Sequence, residues 1–269
     1  METKYTFCRI CESLCGLKIS IENDEITSIS PDMDHIATAG FSCIKGRRQH
    51  EIFQSPDRLK HPLKRKEDGS YEEISWKQAL KEIGQKVKKL RKTEGPDSIG
   101  MYVGTAAGFS VLHPVFAQGF MSGIGSKSMY SSSTQDCSNK FAVSRLMYGF
   151  PFTQPFPDLE NINCLIIVGA NPLMSKWSFL QVNNPSKQLQ EIEKRGGKIY
   201  FIDPRKTESA SIAGEHIFIR PGTDVFFFLS FLNELISQKG LDNEKIQQFY
   251  SGFEEVKLLA QNWDAERTS

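Results

Sequence analysis

The chain has 269 residues, enough to bury a substantial core and to form two or three structural units. Its 33 basic and 32 acidic side chains leave a net charge of +1, which argues against a nucleic-acid binder and against a polybasic membrane anchor. The longest apolar run, Val225 to Leu232, is too short to span a bilayer and is broken by Ser230.

Met1 to Phe7 carries neither an apolar signal core nor a twin-arginine pair, so a cytoplasmic location is expected. In that reducing compartment the six cysteines are better suited to metal ligation than to disulfides. Four of them, Cys8, Cys11, Cys15 and Cys43, follow the spacing C-x2-C-x3-C-x27-C. A short segment that curls around a cube of four irons can supply three thiolates while a returning loop supplies the fourth. Two alternatives stay open at this level: a structural zinc site, which usually pairs its ligands as two close couples, and disulfides.

Leu17, Ile19 and Ile21 alternate, and the polar turn Glu22-Asn23-Asp24-Glu25 leads to Ile26 and Ile29, so Gly16 to Pro31 is expected to be a hairpin beside the cysteines. Basic residues crowd from Lys45 to Lys66, where Pro56 and Pro62 point to an extended, solvated connector that could attract an anionic cofactor. Ser75 opens a helix with Trp76, Ala79, Leu80, Ile83, Val87 and Leu90 on one face. Ser75 and Gln78 fit a capping box, and Gly95-Pro96 ends the helix. Ile99 to Val103 reads as a strand, Val111 to Gly123 as an apolar helix and Met129 to Ser133 as a short strand. Beyond Cys137 the order is a helix to about Tyr148, a strand at Leu165 to Val168, a helix at Lys187 to Arg195, and strands at Lys198 to Ile202 and His216 to Ile219. A buried helix from Val225 to about Gln238 comes next. This alternation predicts an α/β fold: a small N-terminal metal domain with a β hairpin, then Rossmann-like units with mainly parallel sheets.

Such sheets bind ligands at the carboxyl ends of their strands. The first end is Gly169-Ala170-Asn171-Pro172: Gly169 allows a sharp turn and close approach of a ligand, Asn171 suits a helix N-cap and Pro172 the first helical position. The N-H groups there would favour a phosphate. The second end is Asp203-Pro204-Arg205 with Thr207, and the third Arg220-Pro221-Gly222-Thr223-Asp224. A carboxylate at a strand end can accept from a ribose hydroxyl or from guanine, although either Asp could merely cap a helix. Together the three ends favour a bound nucleotide.

Cys137 falls in Gln135-Asp136-Cys137-Ser138-Asn139, read as the first turn of a helix capped by Asp136. The positive end of that helix would favour a thiolate, as nucleophile or metal ligand. Cys164, just before an apolar strand, is assigned to the core.

The cysteine array with Lys45-Gly46, the segments Ser55-Pro56-Asp57-Arg58-Leu59-Lys60-His61-Pro62-Leu63 and Ile74-Ser75-Trp76, and the three strand ends Gly169 to Pro172, Asp203 to Thr207 and Pro221 to Asp224 together resemble the molybdopterin oxidoreductase family. This is the group of formate dehydrogenases, nitrate reductases and dimethyl sulfoxide reductases. The resemblance runs from Cys8 to about Leu235. It implies a 4Fe-4S cluster on Cys8, Cys11, Cys15 and Cys43, and a molybdopterin guanine dinucleotide carrying molybdenum or tungsten. By the same resemblance Lys45 would sit between cluster and pterin and assist electron passage, and Cys137 would coordinate the metal. Gly169, Asn171, Pro172, Asp203, Arg205, Thr207, Gly222, Thr223 and Asp224 would hold one guanine dinucleotide. The implied reaction is a two-electron exchange with a small-molecule redox substrate, Mo(IV) cycling with Mo(VI), and single electrons passing through the cluster to an electron-transfer protein or subunit. Ser138 stands where formate dehydrogenases typically have His and periplasmic nitrate reductases Met, so neither substrate is supported.

Members of the family run to about twice this length or more, so the chain is expected to be an N-terminal portion, incomplete for turnover by itself and complemented by a missing C-terminal half. The expected divisions are a cluster domain at 1-60, the first part of an α/β domain at 61-135 and a dinucleotide-binding domain at 136-269, incomplete at its end. Two other readings compete: a non-catalytic electron-transfer subunit like the large iron-sulfur subunit of NADH dehydrogenase, and a truncated binding module.

Overall fold

The computed structural model describes residues 1–104, 107, 110–153, 155–176 and 182–269. The chain divides into two compact units, the first comprising Met1–Pro157 with Lys176–Pro185 and the second Asp158–Ser175 with Ser186–Ser269.

The first unit opens with an antiparallel sheet in the order β1-β2-β3, built from β1 (Glu2–Phe7), β2 (Gly16–Glu22) and β3 (Glu25–Pro31). The β2–β3 turn has its two central residues in the left-handed region, Asn23 at φ 50° and Asp24 at φ 62°. Asn and Asp tolerate that conformation, which matches the twist of the flanking strands. The pleat sends Leu17 inward, where it packs with Cys8 and Cys15 and with the half-buried Ile10, Ile29 and Phe41. β1 carries no such signal, since all six of its residues are exposed; it exists by pairing with β2 from Glu2↔Ile21 to Phe7↔Gly16.

The basic segment differs from the extended connector expected of it. It contains two short helices, α1 (Ile44–Arg47) and α2 (Gln49–Phe53), which lean on β3. Both prolines lie beyond them, so neither breaks a helix. A small hairpin of β4 (Leu63–Arg65) and β5 (Tyr71–Glu73) then leads to α3 (Trp76–Thr93). Ser75 Oγ accepts from Gln78 N over 3.1 Å as expected, but the Gln78 side chain donates to Glu82 Oε1 over 3.0 Å instead of reaching back, so only half of the capping box forms. β6 (Met101–Val103) and β7 (Met129–Ser131) pair in parallel around α4 (Leu112–Ile124), and α5 (Ser133–Asp136) and α6 (Ser138–Tyr148) come after them.

The second unit is a parallel sheet in the order β10-β9-β8, made of β8 (Cys164–Val168), β9 (Lys198–Asp203) and β10 (Glu215–Phe218). The helix α7 (Pro185–Lys194) connects β8 to β9 and buries Leu189 and Ile192 completely, together with Phe201 of the central strand. Fully burying an aliphatic or aromatic side chain of this kind stabilises by about 1.5–3 kcal/mol each. The strand alternation corrects the placement of Cys164. Leu165 and Ile167 are buried, so Cys164 and Ile166 project from the opposite face, and Cys164 is exposed.

The apolar helix α8 (Asp224–Ser237) forms where expected but is not buried: none of its residues is enclosed, and Val225, Phe228 and Phe231 are exposed. Within the second unit it meets α10 (Phe253–Ala260) and α11 (Ala265–Thr268), and Phe226 packs on Trp263 at 4.6 Å between ring centres. A helix apolar all round has more faces than these two neighbours cover. Between α8 and α10 lies α9 (Asn243–Phe249).

Candidate metal and cofactor site

The spacing of the first three cysteines follows from the β1–β2 hairpin. The last register pair is Phe7↔Gly16, and the ladder continues by one bond, Cys8 N to Cys15 O over 2.8 Å. Cys8 and Cys15 therefore form the two rims of the connecting loop, and Cys11 lies in the turn, where its carbonyl accepts from Leu14 N over 3.4 Å. Leu14 takes a left-handed φ of 45°, a conformation that costs a non-glycine residue roughly 1–2 kcal/mol. Gly16 N, directly after Cys15, donates to the enclosed Thr38 hydroxyl over 3.2 Å, and Thr38 in turn pairs with His35 Nδ1 at 2.8 Å.

Cys43 enters from the other side as the N-cap residue of α1. Gly46 is buried against the loop, where a Cβ on it would already be in van der Waals contact, 3.4 Å from Cys8 Sγ and 3.8 Å from Leu17. Gln49 then donates its amide to Cys8 Sγ over 3.3 Å and to Gly46 O over 3.1 Å. Sequence reasoning missed Gln49, and only the Lys45-Gly46 dipeptide hinted at the close packing. Lys45 itself is exposed on α1.

All six cysteines are free thiols. Burial pushes the Cys15 thiol up to about 11, and burial likewise raises Cys8; the charges of Cys11 and Cys43 push both further the same way. Cys8 and Cys15 pack with Leu17 in one buried cluster. Yet among the described residues no three His, Cys, Asp or Glu side chains close on a single-ion point. These observations are compatible, because a zinc ion would hold sulfurs about 3.8 Å apart, given Zn–S distances near 2.3 Å, whereas a four-iron cube spreads its thiolates over its corners. Beside Cys43, the buried Ser42 hydroxyl has no partner among the described residues. A soft, fourfold thiol donor set with two buried members and an unpartnered buried hydroxyl next to the fourth fits an iron-sulfur cluster. Cluster binding would displace the protons that burial holds on Cys8 and Cys15.

Cys137 belongs to the same unit. It is the N-cap of α6, not a residue of its first turn, and Asp136 ends the preceding α5 instead of capping α6. Cys137 N donates to Ser133 O over 3.0 Å and Ser138 Oγ to the same carbonyl over 2.8 Å, so Asp136 lies in the last turn of α5, one residue too early to cap α6. This segment lies just past the carboxyl end of β7. An open cavity of about 810 Å³ is found there, lined by Tyr102, Tyr130, Ser131, Ser132, Gln135 and Asp136.

In the second unit the three strand ends lie along one edge, because the strands are parallel. Gly169 is exposed at φ 61° with open space where a Cβ would stand, and its N-H extends the ladder to Ile202 O at 2.8 Å. Asn171 makes no side-chain N-cap bond among the described residues. Its Nδ2 donates to Glu208 Oε2 over 2.6 Å and its Oδ1 accepts from the Ser209 hydroxyl over 2.6 Å. Residues 172–174 form a turn and Pro172 is completely buried. Asp203 is 8% exposed and accepts from Arg205 N over 2.9 Å, turning the chain out of β9. Arg205 reaches Glu208 at 3.2 Å, and Thr207, enclosed, accepts from Ala210 N at 3.2 Å. At the third end Gly222 has φ 83°, Thr223 is the N-cap of α8 with its hydroxyl on Arg220 O at 2.7 Å, and Asp224 is the first helical residue. Glu208 and Ser209 are further residues that sequence reasoning missed. They tie the first strand end to the second, and the Glu208 backbone amide, then Asn171 and Arg205, hold the Glu208 carboxyl below its usual range.

Residues 58–251 match the molybdopterin oxidoreductase family, and residues 1–55 match the Fe4S4 domain of molybdopterin oxidoreductases. The chain belongs to the molybdopterin oxidoreductase family. Its cofactors are a 4Fe-4S cluster and molybdopterin with molybdenum or tungsten. Similar curated proteins include acetylene hydratase of Syntrophotalea acetylenica, 29% identical over 99% of this chain and 36% of that protein. Another is the F420-dependent formate dehydrogenase 1 subunit alpha of Methanococcus maripaludis, 25% identical over 98% of this chain and 38% of that protein. The periplasmic nitrate reductase of Desulfovibrio desulfuricans is 26% identical over 97% of this chain and 35% of that protein. A solved structure of acetylene hydratase from Pelobacter acetylenicus superposes with a TM-score of 0.74 at 27% identity, covering 98% of this chain and 36% of that one. The α/β fold of this molybdopterin oxidoreductase chain is therefore shared with a solved relative. The chain spans little more than a third of the length of these relatives. No helix among the described residues is long and apolar enough to cross a membrane.

Proposed function

We propose that this chain supplies the cluster-holding portion and one dinucleotide-holding portion of a molybdenum or tungsten oxidoreductase that exchanges two electrons with a small-molecule substrate. The feature that supports the reading is the placement of Cys8 and Cys15 at the rims of one hairpin loop, with Cys11 inside it and Cys43 at the start of α1, whose neighbour Gln49 bonds Cys8 Sγ. When bound, the metal supplies two-electron chemistry and the cluster passes single electrons to a partner protein or subunit. Cys8, Cys11, Cys15 and Cys43 hold the cluster, and Cys137 ligates the metal with a soft thiolate that helps set its potential. Lys45, exposed beside Cys43, assists electron passage with its positive charge. Gly169 offers a bare backbone to a phosphate, Pro172 fixes the turn beneath it, and Asn171, Asp203, Arg205, Thr207, Gly222, Thr223 and Asp224 frame the nucleoside. In this reading the functional portions are 1-60, 61-135 and 136-269, further polypeptide completes the enzyme, and its location is cytoplasmic.

The test is anaerobic purification with iron, sulfide, molybdenum and tungsten analysis and electron paramagnetic resonance. Four irons per chain and a reducible cluster signal support the reading; a sample holding zinc without iron contradicts it.

A second reading has the 29% identity to acetylene hydratase in its favour. The whole enzyme would then add water to an unsaturated substrate with no net electron transfer. Dye reduction coupled to substrate turnover by the completed enzyme separates the two.

A further inference from the structure

Among the described residues, Lys176 is the one buried cation, only 7% exposed. It comes just after the turn of the first strand end in sequence but belongs to the unit that carries the cysteines. Its Nζ donates to Ala37 O over 3.4 Å, in the loop that also supplies His35 and Thr38 behind Gly16. It lines a cavity of about 480 Å³ with Glu12, Ser13 and Leu14 of the cysteine loop and with His35 and Ala37.

Burial pushes the Lys176 ammonium's pKa down, the charges of Cys15 and Cys11 act against that, and the Glu12 carboxylate lines the same cavity. Enclosing a long, flexible cation is unfavourable unless an anion repays its lost hydration. Thiolates ligating a cluster supply that anion, since an iron-sulfur assembly held by four of them is negatively charged overall. Each electron taken up from a redox partner adds one negative charge, with no bond made or broken in the protein. A buried cation, little screened by solvent, favours the reduced form.

The geometry points to Lys176 as a positioning residue of the cluster: its enclosed ammonium, tethered to Ala37 beside the Cys11–Cys15 side of the loop, holds the reduction potential up and helps retain the cluster. The inference rests on the cluster reading above. It is distinct from the role of Lys45, whose exposed charge is open to screening.

The experiment is a redox titration followed by electron paramagnetic resonance on the anaerobically purified full chain, with iron counted in each sample. Lys176→Gln keeps a donor for Ala37 O and removes the charge, whereas Lys176→Arg keeps the charge. The expected result for Lys176→Gln is an approximately tenfold shift of the one-electron equilibrium toward the oxidised cluster, a potential lower by about 59 mV. Lys176→Arg stays within about threefold of the parent, a shift smaller than that tenfold scale. Loss of iron from Lys176→Gln alone, with Lys176→Arg retaining it, reports the same charge acting in cluster retention. Full iron with an unmoved potential in Lys176→Gln overturns the inference, as does loss of iron from both variants, which marks a packing role. A parent chain that takes up no iron overturns the cluster reading itself.

Discussion

Gln49 donates its side-chain amide to the Cys8 sulfur over 3.3 Å and to the Gly46 carbonyl over 3.1 Å. One side chain thereby joins the hairpin loop that carries three thiols to the helix that carries the fourth. A hydrogen bond to a charged group contributes about 1.5–3 kcal/mol. Gln49→Ala is therefore expected to keep four irons but to lose them to a chelator about tenfold faster, the lower end of that range. Equal rates of iron release in parent and variant would show that the bond does not secure the cluster.

Two glycines offer opposite outcomes. A Cβ at Gly46 would stand 3.4 Å from Cys8 Sγ, whereas nothing lies within 4 Å of one at Gly84, inside α3. Gly46→Val pushes branched methyls against the sulfur and is expected to destabilise by about 1–3 kcal/mol with loss of iron. Gly84→Ala removes a flexible helix residue and is expected to stabilise by roughly 0.5–1 kcal/mol. Thermal melts with iron counted before and after check both. A Gly46→Val protein with full iron and an unchanged melt would contradict the close approach of α1.

Ser209 is completely enclosed, accepting from Leu173 N over 3.0 Å and donating to Asn171 Oδ1 over 2.6 Å. Ser209→Ala leaves both partners unsatisfied and is expected to cost about 1–3 kcal/mol in urea unfolding. Glu208→Gln, at an exposed position that keeps an acceptor, should stay within about 0.5 kcal/mol. If the two variants unfold at the same urea concentration, the strand-end tie is not a structural element.

The features legible in the sequence were those that local chemistry encodes. The β2–β3 hairpin is written in the alternation of Leu17, Ile19 and Ile21 and in the left-handed tolerance of Asn23 and Asp24. The strand ends were found because Gly169, Asp203 and Gly222 are residue types that turns demand. By contrast β1 and the helices α1 and α2 exist through pairing and packing, with patterns too short or too exposed to show. The Asn171–Ser209 bond joins residues 38 apart and the Lys176–Ala37 bond residues 139 apart, so no local pattern announces either. The expected burial of α8 and of Cys164 failed for a related reason. Apolar composition proposes a core, but neighbours decide which face is covered, and here α8 has no enclosed residue and Cys164 stands on the open face of β8.

The separation of roles among the thiols can be read in one comparison: iron content and electron paramagnetic resonance of anaerobically purified Cys43→Ser and Cys137→Ser beside the parent. Cys43 stands at the N-cap position of α1, whereas Cys137 stands at the N-cap position of α6, beyond β7. The account predicts that Cys43→Ser abolishes the 4Fe-4S signal and that Cys137→Ser keeps four irons and the signal intact. Loss of the cluster in both variants, or its survival in Cys43→Ser, would contradict it.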